Sequence, residues 1–472
     1  MRRTLLDMVE SRFEQSAKHF TVKMRSKVHA QSYDNVVAAQ QSRRLSPAGL
    51  LAMERLSELT ALQQRHQRTF DPALRDSATQ ILRTFPLFSI DEDPHFVHAQ
   101  KALRLAAYFG AVDLPVTYAL INQHTKNAFL LDAFAMASFL YTLPKLKHPQ
   151  SVEIIGILLP RLREVAPELL AHEAIHILRL LRKHHLDDLQ FAQTVTATLT
   201  ATAEDVPLIS IRQGAIVLSE TFPEEAQRVL LAAEHRLCDE IETNTDVLEV
   251  KAVILDVCHV LSNTCKSSRR MLNSVARRSM DLAQQLTPLD SALVLKSFFV
   301  SSYRHLRLLR VLSSSIAGRI VAGEPTKDHG LAASITVQAL SHFYVEGCEE
   351  VVVSLVKTTV SVLEGYNLAL TLLACARLQC VFPRVAPATD TLCTGAPLLR
   401  YARNAHSLPV TSRILCAMAQ LGRYESDDDI SIVLSLLSLW DASRGRSQVT
   451  AGSSCWTQSQ RLSPTAGAVT QS

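Results

Sequence analysis

The chain is predicted to be all-α, an α-solenoid of stacked helical hairpins with a period of about 36–41 residues. Three observations carry that prediction. First, a small residue opens an apolar run at Ala133, Ala174, Ala215, Ala252, Ala292, Ala333 and Ala369, in steps of 41, 41, 37, 40, 41 and 36. Second, Gly is only 14 of 472 residues, and no apolar–polar alternation runs through the chain, which disfavours sheets and Gly-rich nucleotide loops. Third, prolines fall between the apolar runs, where a missing N–H donor leaves nothing unsatisfied.

The elements follow in order. Residues 1–45 are basic and weakly patterned: Arg2, Arg3, Arg12, Lys18, Lys23, Arg25 and Lys27 outnumber Asp7, Glu10 and Glu14. A basic, amphipathic leader of this kind fits mitochondrial import, although transit segments are poorer in acids; the cytoplasm is the other location expected. Residues 46–95 form a helical cap. Ser46-Pro47 starts a helix over about 47–68, with Leu50, Leu51, Met53, Leu56, Leu59 and Leu62 at helical spacing. A second helix spans about 72–84 and ends before Pro86. The repeat array covers 96–442. One pair occupies 128–166, its first helix breaking at Pro144 and its second starting after Pro149, with Pro160 inside it. Later pairs open near Pro167, Pro207, Asp246, Pro288, Leu331 and Asn367, and a last one covers roughly 404–440. From 443 to 472 the composition turns to Ser, Thr, Gln and Gly around Trp456, too poor in apolar surface to order itself.

Hydrophobic residues are 47% of the chain, ample for a continuous core, and the net charge of +4 carries little information. The nine cysteines are odd in number and include no CxxC, so they read as small buried hydrophobes in a reducing compartment. No apolar stretch reaches membrane-spanning length without a charge or a break.

Charge is distributed unevenly. Over 266–319, ten bases (Lys266, Arg269, Arg270, Arg277, Arg278, Lys296, Arg304, Arg307, Arg310, Arg319) against two acids (Asp281, Asp290) leave +8. Just upstream, 201–257 holds twelve acids and four bases, or −8. Arg270 and Arg277 are seven apart, hence on one helical face, and Arg304, Arg307 and Arg310 step by three. Both sets are expected on second helices of consecutive pairs. Equivalent helices of a stack line one wall. Arg269, Arg270, Arg277, Arg278, Arg304, Arg307 and Arg310 are therefore expected to form one strip, with Tyr303 and His305 beside it. Guanidinium forks suit phosphate oxygens, and such a strip is a track for a nucleic-acid backbone. An exposed face solvated by arginine, or one that meets an acidic protein, is the competing explanation.

Other motifs weigh less. His172-Glu173-Ala174-Ile175-His176 has the H-E-x-x-H spacing of zinc peptidases, which places two imidazoles on one helical face. The extended motif is absent, since Arg179 and Arg182 stand where Gly and His would be needed, and Glu204 or Glu220 is no recognisable third ligand. In the repeat register His176 shares a slot with Val217, Ile254, Val294, Ile335 and Thr371, so packing is its expected role and no metal is assigned. His184, His185, Asp187 and Asp188 read as a turn between helices. Glu425 and Asp427–Asp429 read as acids that complement a helix N-terminus. No Walker loop, nucleophile elbow or kinase signature occurs.

The repeat length and the Leu- and Ala-rich pairs, such as residues 286–299 (LTPLDSALVLKSFF), resemble organellar helical-repeat proteins of the octotricopeptide, heptatricopeptide and FAST-kinase-like groups, including divergent forms in kinetoplastid and apicomplexan mitochondria. The resemblance covers about 96–442. It implies mitochondrial RNA processing, editing or translation within a larger ribonucleoprotein complex. The RAP domain that ends many such proteins has no counterpart in this chain, which argues against nuclease-like activity. The expected function is thus non-catalytic RNA binding, with protein subunits as further partners and no cofactor. The alternatives are a HEAT-like or ribosome-associated scaffold that does not touch RNA and, more remotely, a zinc hydrolase using His172, Glu173 and His176.

Overall fold

A computed structural model describes residues 45–264, 268–363, 365–394, 398, 408–423, 433–434 and 436–438. The expectations for 1–44, for the acids at 425–429 and for the tail fall outside these residues. Among the described residues every regular element is a helix. The chain divides into two compact units, at Met271 and Leu272.

The first unit contains α1 (Pro47–Thr69), α2 (Pro72–Arg83), α3 (Val97–Phe109), α4 (Pro115–Lys126), α5 (Ala133–Thr142), α6 (Ser151–Val165), α7 (Ala171–Lys183), α8 (Leu189–Ala201), α9 (Leu208–Ser219), α10 (Pro223–Ala232), α11 (Glu234–Thr243) and α12 (Val247–Asn263). Helix α13 (Arg269–Asp281) carries the chain across the division. The second unit continues with α14 (Pro288–Val300), α15 (Leu306–Val321), α16 (Lys327–Phe343), α17 (Glu349–Thr359), α18 (Gly365–Val381), α19 (Ala386–Thr394) and α20 (Leu408–Gln420).

Local chemistry starts these helices where the sequence says. Ser46 Oγ accepts from the Gly49 N–H at 3.1 Å with Pro47 at the first helical position. Asp132, Asp188 and Asp246 cap α5, α8 and α12 in the same way. Thr287 and Asp290 exchange two 3.1 Å bonds, a capping box ahead of α14.

Each unit has two layers. In the first, α1, α3, α5, α7, α9 and α12 pack one on the next, while α2, α4, α6, α8 and α10 form a second row against them. In the second, α14, α16, α18 and α20 make one row and α15, α17 and α19 the other. Consecutive helices therefore form hairpins whose first members stack together. The repeat alanines sit on these first helices, and all but the half-buried Ala252 are buried, because a methyl group lets neighbouring helices approach closely. In α12 the neighbouring Val253 takes the buried place.

One turn recurs. Phe70, Gly110, Lys147, His185, Ser302 and Tyr344 all have positive φ and follow a first helix or its short 3₁₀ extension. The residue after the turn bonds five residues back in four of them: Ala111 to Ala106, Leu186 to Leu181, Tyr303 to Phe298 and Val345 to Leu340, at 2.9 to 3.2 Å. This is the left-handed helix stop usually built with glycine. Gly422 makes the same stop after α20, with the Arg423 N–H on the Met418 carbonyl at 2.9 Å; of these seven stops only 110 and 422 are glycine, so the repeat hides from a search for Gly.

A second recurring device uses arginine. Arg161 Nε donates to the Leu131 carbonyl at 3.0 Å, Arg236 Nη1 to those of Ala203 and Val206, and Arg319 Nη1 to that of Leu286. In each case the second half of a hairpin reaches back to carbonyls just before its first helix. The second half of the pair that opens near Pro207 is split at Ala233 into α10 and α11, and Arg236 fastens the second piece. Pro160 lies within α6, which continues to Val165.

Candidate nucleic-acid interface

Helix α13 opens with Arg269 and Arg270 and has no acid in its first turn. Helix α15 has no acid there either, and Arg307 lies in its first turn, preceded by Arg304. Cations at a helix start oppose the macrodipole by roughly 0.3–1 kcal/mol each. Three other second helices carry acids there: Glu153 in α6, Glu224 and Glu225 in α10, and Glu349 and Glu350 in α17. The arginines are thus placed against the stability of their own helices.

Within the second unit, the Tyr303 hydroxyl donates to Asn273 Oδ1 at 2.9 Å. This bond holds the turn carrying Arg304 against α13, one helical turn ahead of Arg277. His305 caps α15, its Nδ1 accepting from the Leu308 N–H at 3.1 Å. Arg277, Arg304, Arg307 and Arg310 are exposed. Arg304 and Arg307 make no ion pair among the described residues, whereas Arg310 Nη2 donates to the Glu346 carbonyl at 3.2 Å. The result is a set of guanidinium groups at the start of α15, where the backbone N–H groups add positive potential, with Arg277 on the adjoining face of α13.

The structure places the other candidates differently. Arg304 lies in the turn before α15 and not on the helix, because the left-handed stop at Ser302 delays the helix to Leu306. Arg278 is half-buried, in the same repeat position as Arg319, which serves its own hairpin. Arg269 and Arg270 are exposed on the first turn of α13, before the point where the units divide.

The H-E-x-x-H string lies on α7, but its chemistry is occupied. Glu173 accepts from the Leu170 N–H at 3.2 Å at the helix start. The His176 ring packs on Tyr141 at 4.8 Å between centroids. Burial, then the charges of Arg179 and Lys145, hold its pKa down at about 4, so it is a neutral ring at physiological pH. Among the described residues no group of three or more His, Cys, Asp or Glu is placed to hold a metal ion. His185 occupies a turn, and Asp188 caps α8 while Arg163 Nε bonds it at 3.1 Å. Of the cysteines, 238, 258, 348, 375 and 393 are buried as expected; Cys380 and Cys416 are exposed. No helix among the described residues is long and apolar enough to cross a membrane.

No protein-family model matches this chain, and no curated protein matches it in sequence.

Proposed function

We propose that this protein is a non-catalytic α-solenoid that holds RNA, by its phosphate backbone, on the arginines that gather at the start of α15 and on the adjoining face of α13. One observation carries the reading: Arg304 and Arg307 stand exposed, without acids, at a helix start where they cost the fold stability. A group retained against local stability is accounted for by what it binds. Phosphate oxygens fit guanidinium geometry and a helix N-terminus at once. The resemblance to organellar repeat proteins supports RNA as the polyanion and mitochondrial RNA metabolism as the setting. The exposed Val152 and Ile157 of α6, with Phe129 nearby, support protein contacts on another surface, as a subunit of a ribonucleoprotein complex would need.

An electrophoretic shift assay with a labelled oligonucleotide tests the proposal. Wild-type protein is expected to retard it, and R277E/R304E/R307E to do so only at roughly a hundredfold higher concentration. Equal retardation by both would remove the site.

A further inference from the structure

The first helices of the first unit carry a second feature, made of aromatic rings and cations. Within α5 only Phe134, Ser138 and Tyr141 reach the surface, and Lys145 extends the same stripe past the helix end. On α7 the corresponding stripe is His172, His176, Arg179 and Lys183; on α3 it is Val97, Lys101, Arg104 and Tyr108. Each stripe follows the i, i+3/i+4, i+7 spacing of one helix face. The three helices pack one on the next, so their stripes lie side by side.

The stripes are chemically one-sided. Glu173 is the one acid on α3, α5 and α7, and its carboxylate is turned to the Leu170 N–H. The rings are held in place rather than loose. Tyr141 is 37% exposed, braced by His176 beneath it, and the Lys145 ammonium sits 3.7 Å from its ring centroid. The Tyr108 hydroxyl bonds His66 Nδ1 at 2.9 Å, and its ring meets Phe109 edge-on. Further along the row the character changes: α9 and α12 present Ile209, Ile216, Glu220, Leu248 and Leu255. The aromatic and cationic patch is therefore bounded.

We infer that the α3–α5–α7 face is a binding surface for single-stranded RNA, with Tyr141 as a platform on which a base stacks and Lys101, Arg104 and Lys145 holding the neighbouring phosphates. Neighbouring helices pack about 10 Å apart, so the face offers a ring and a cation at each step along a line. That pairing suits a polymer that alternates planar bases with phosphates; cations alone would serve an acidic protein equally well. When a base stacks, the Lys145 ammonium leaves the ring and meets the adjacent phosphate, so no charge is stranded. The inference goes beyond the proposed function, for it uses none of Arg277, Arg304, Arg307 or Arg310.

Fluorescence anisotropy of the full chain with labelled oligo(U) of about 20 nucleotides tests it. K101E/R104E/K145E is expected to lose at least about tenfold in affinity. Tyr141→Leu, which keeps packing on His176, is expected to weaken the single strand about tenfold and leave an RNA duplex unaffected. Lys126→Glu, the same charge change on exposed α4, is expected to do nothing. Should the triple variant fail to fold, Lys145→Gln alone serves, with a loss of about fivefold expected. Wild-type affinity in K101E/R104E/K145E, or in Lys145→Gln where the triple does not fold, overturns the inference, as does equal competition by polyglutamate. If R277E/R304E/R307E binds normally while K101E/R104E/K145E does not, the proposed function loses its site and this inference stands; the reverse pattern sinks this inference alone.

Discussion

Arginines that reach back to their own hairpin and arginines that open α15 have opposite uses in this chain. Arg161, Arg236 and Arg319 each close a hairpin by donating to carbonyls just ahead of its first helix. Arg304 and Arg307 face solvent at the start of α15, with no acid beside them. In the acidic stretch 201–257 the three arginines have partners within the fold: Arg212 pairs with Asp256 at 3.0 Å, Arg228 with Glu225 at 3.1 Å, and Arg236 is a fastener. The basic stretch 266–319 mixes both uses, and its +8 overstates what is available to a ligand. Position along the hairpin, more than the number of cations, separates binding groups from structural ones.

Breaking the solvent-facing class should spare the fold and weaken binding. R277E/R304E/R307E is expected to weaken RNA binding about a hundredfold at 0.1 M salt, from roughly fivefold per lost phosphate contact, with a thermal transition that rises, because acids replace cations at the start of α15. Asp188→Ala attacks the structural class, since it removes the α8 cap and the partner of Arg163 together. A loss of about 2–3 kcal/mol in chemical denaturation is expected, with RNA affinity unaltered for the folded protein.

The buried histidines sharpen the contrast by pH. His124 lies between Phe96 and Phe139, its Nδ1 on the Leu120 carbonyl at 2.7 Å, and burial pushes its pKa down to about 4. The folded chain then holds this ring neutral, whereas the unfolded chain protonates it near pH 6.5. Unfolding takes up a proton between those values, so stability falls as pH drops from about 6.5 toward 4. His124→Phe is expected to flatten that limb by about 2 kcal/mol at pH 5, measured by urea melts across the range. Last and smallest, Arg319→Ala should cost about 1–1.5 kcal/mol through the freed Leu286 carbonyl and leave RNA affinity alone.

The hairpins were legible because alanine anchors and proline breaks report packing and hydrogen-bond supply directly. The cap at Ser46 was legible for the same reason, and the pairs expected to open near Asp246 and Pro288 do start there. Arg319 looked like Arg307 because charge alone does not show which carbonyls a side chain reaches. The break at Ala233 had no proline or glycine to announce it. The α3–α5–α7 stripes escaped notice because their cations are sparse along the chain and become neighbours only when helices a repeat apart are stacked. A scan for base and aromatic at matching repeat positions would have found them.

The most direct test of the central claim is the salt dependence of RNA binding by the full chain. A steep linear fall of log affinity with log salt is expected, with a slope smaller by about two in R277E/R304E/R307E and unchanged in Arg319→Ala. A flat profile for the wild type, or the same slope in all three proteins, would contradict it.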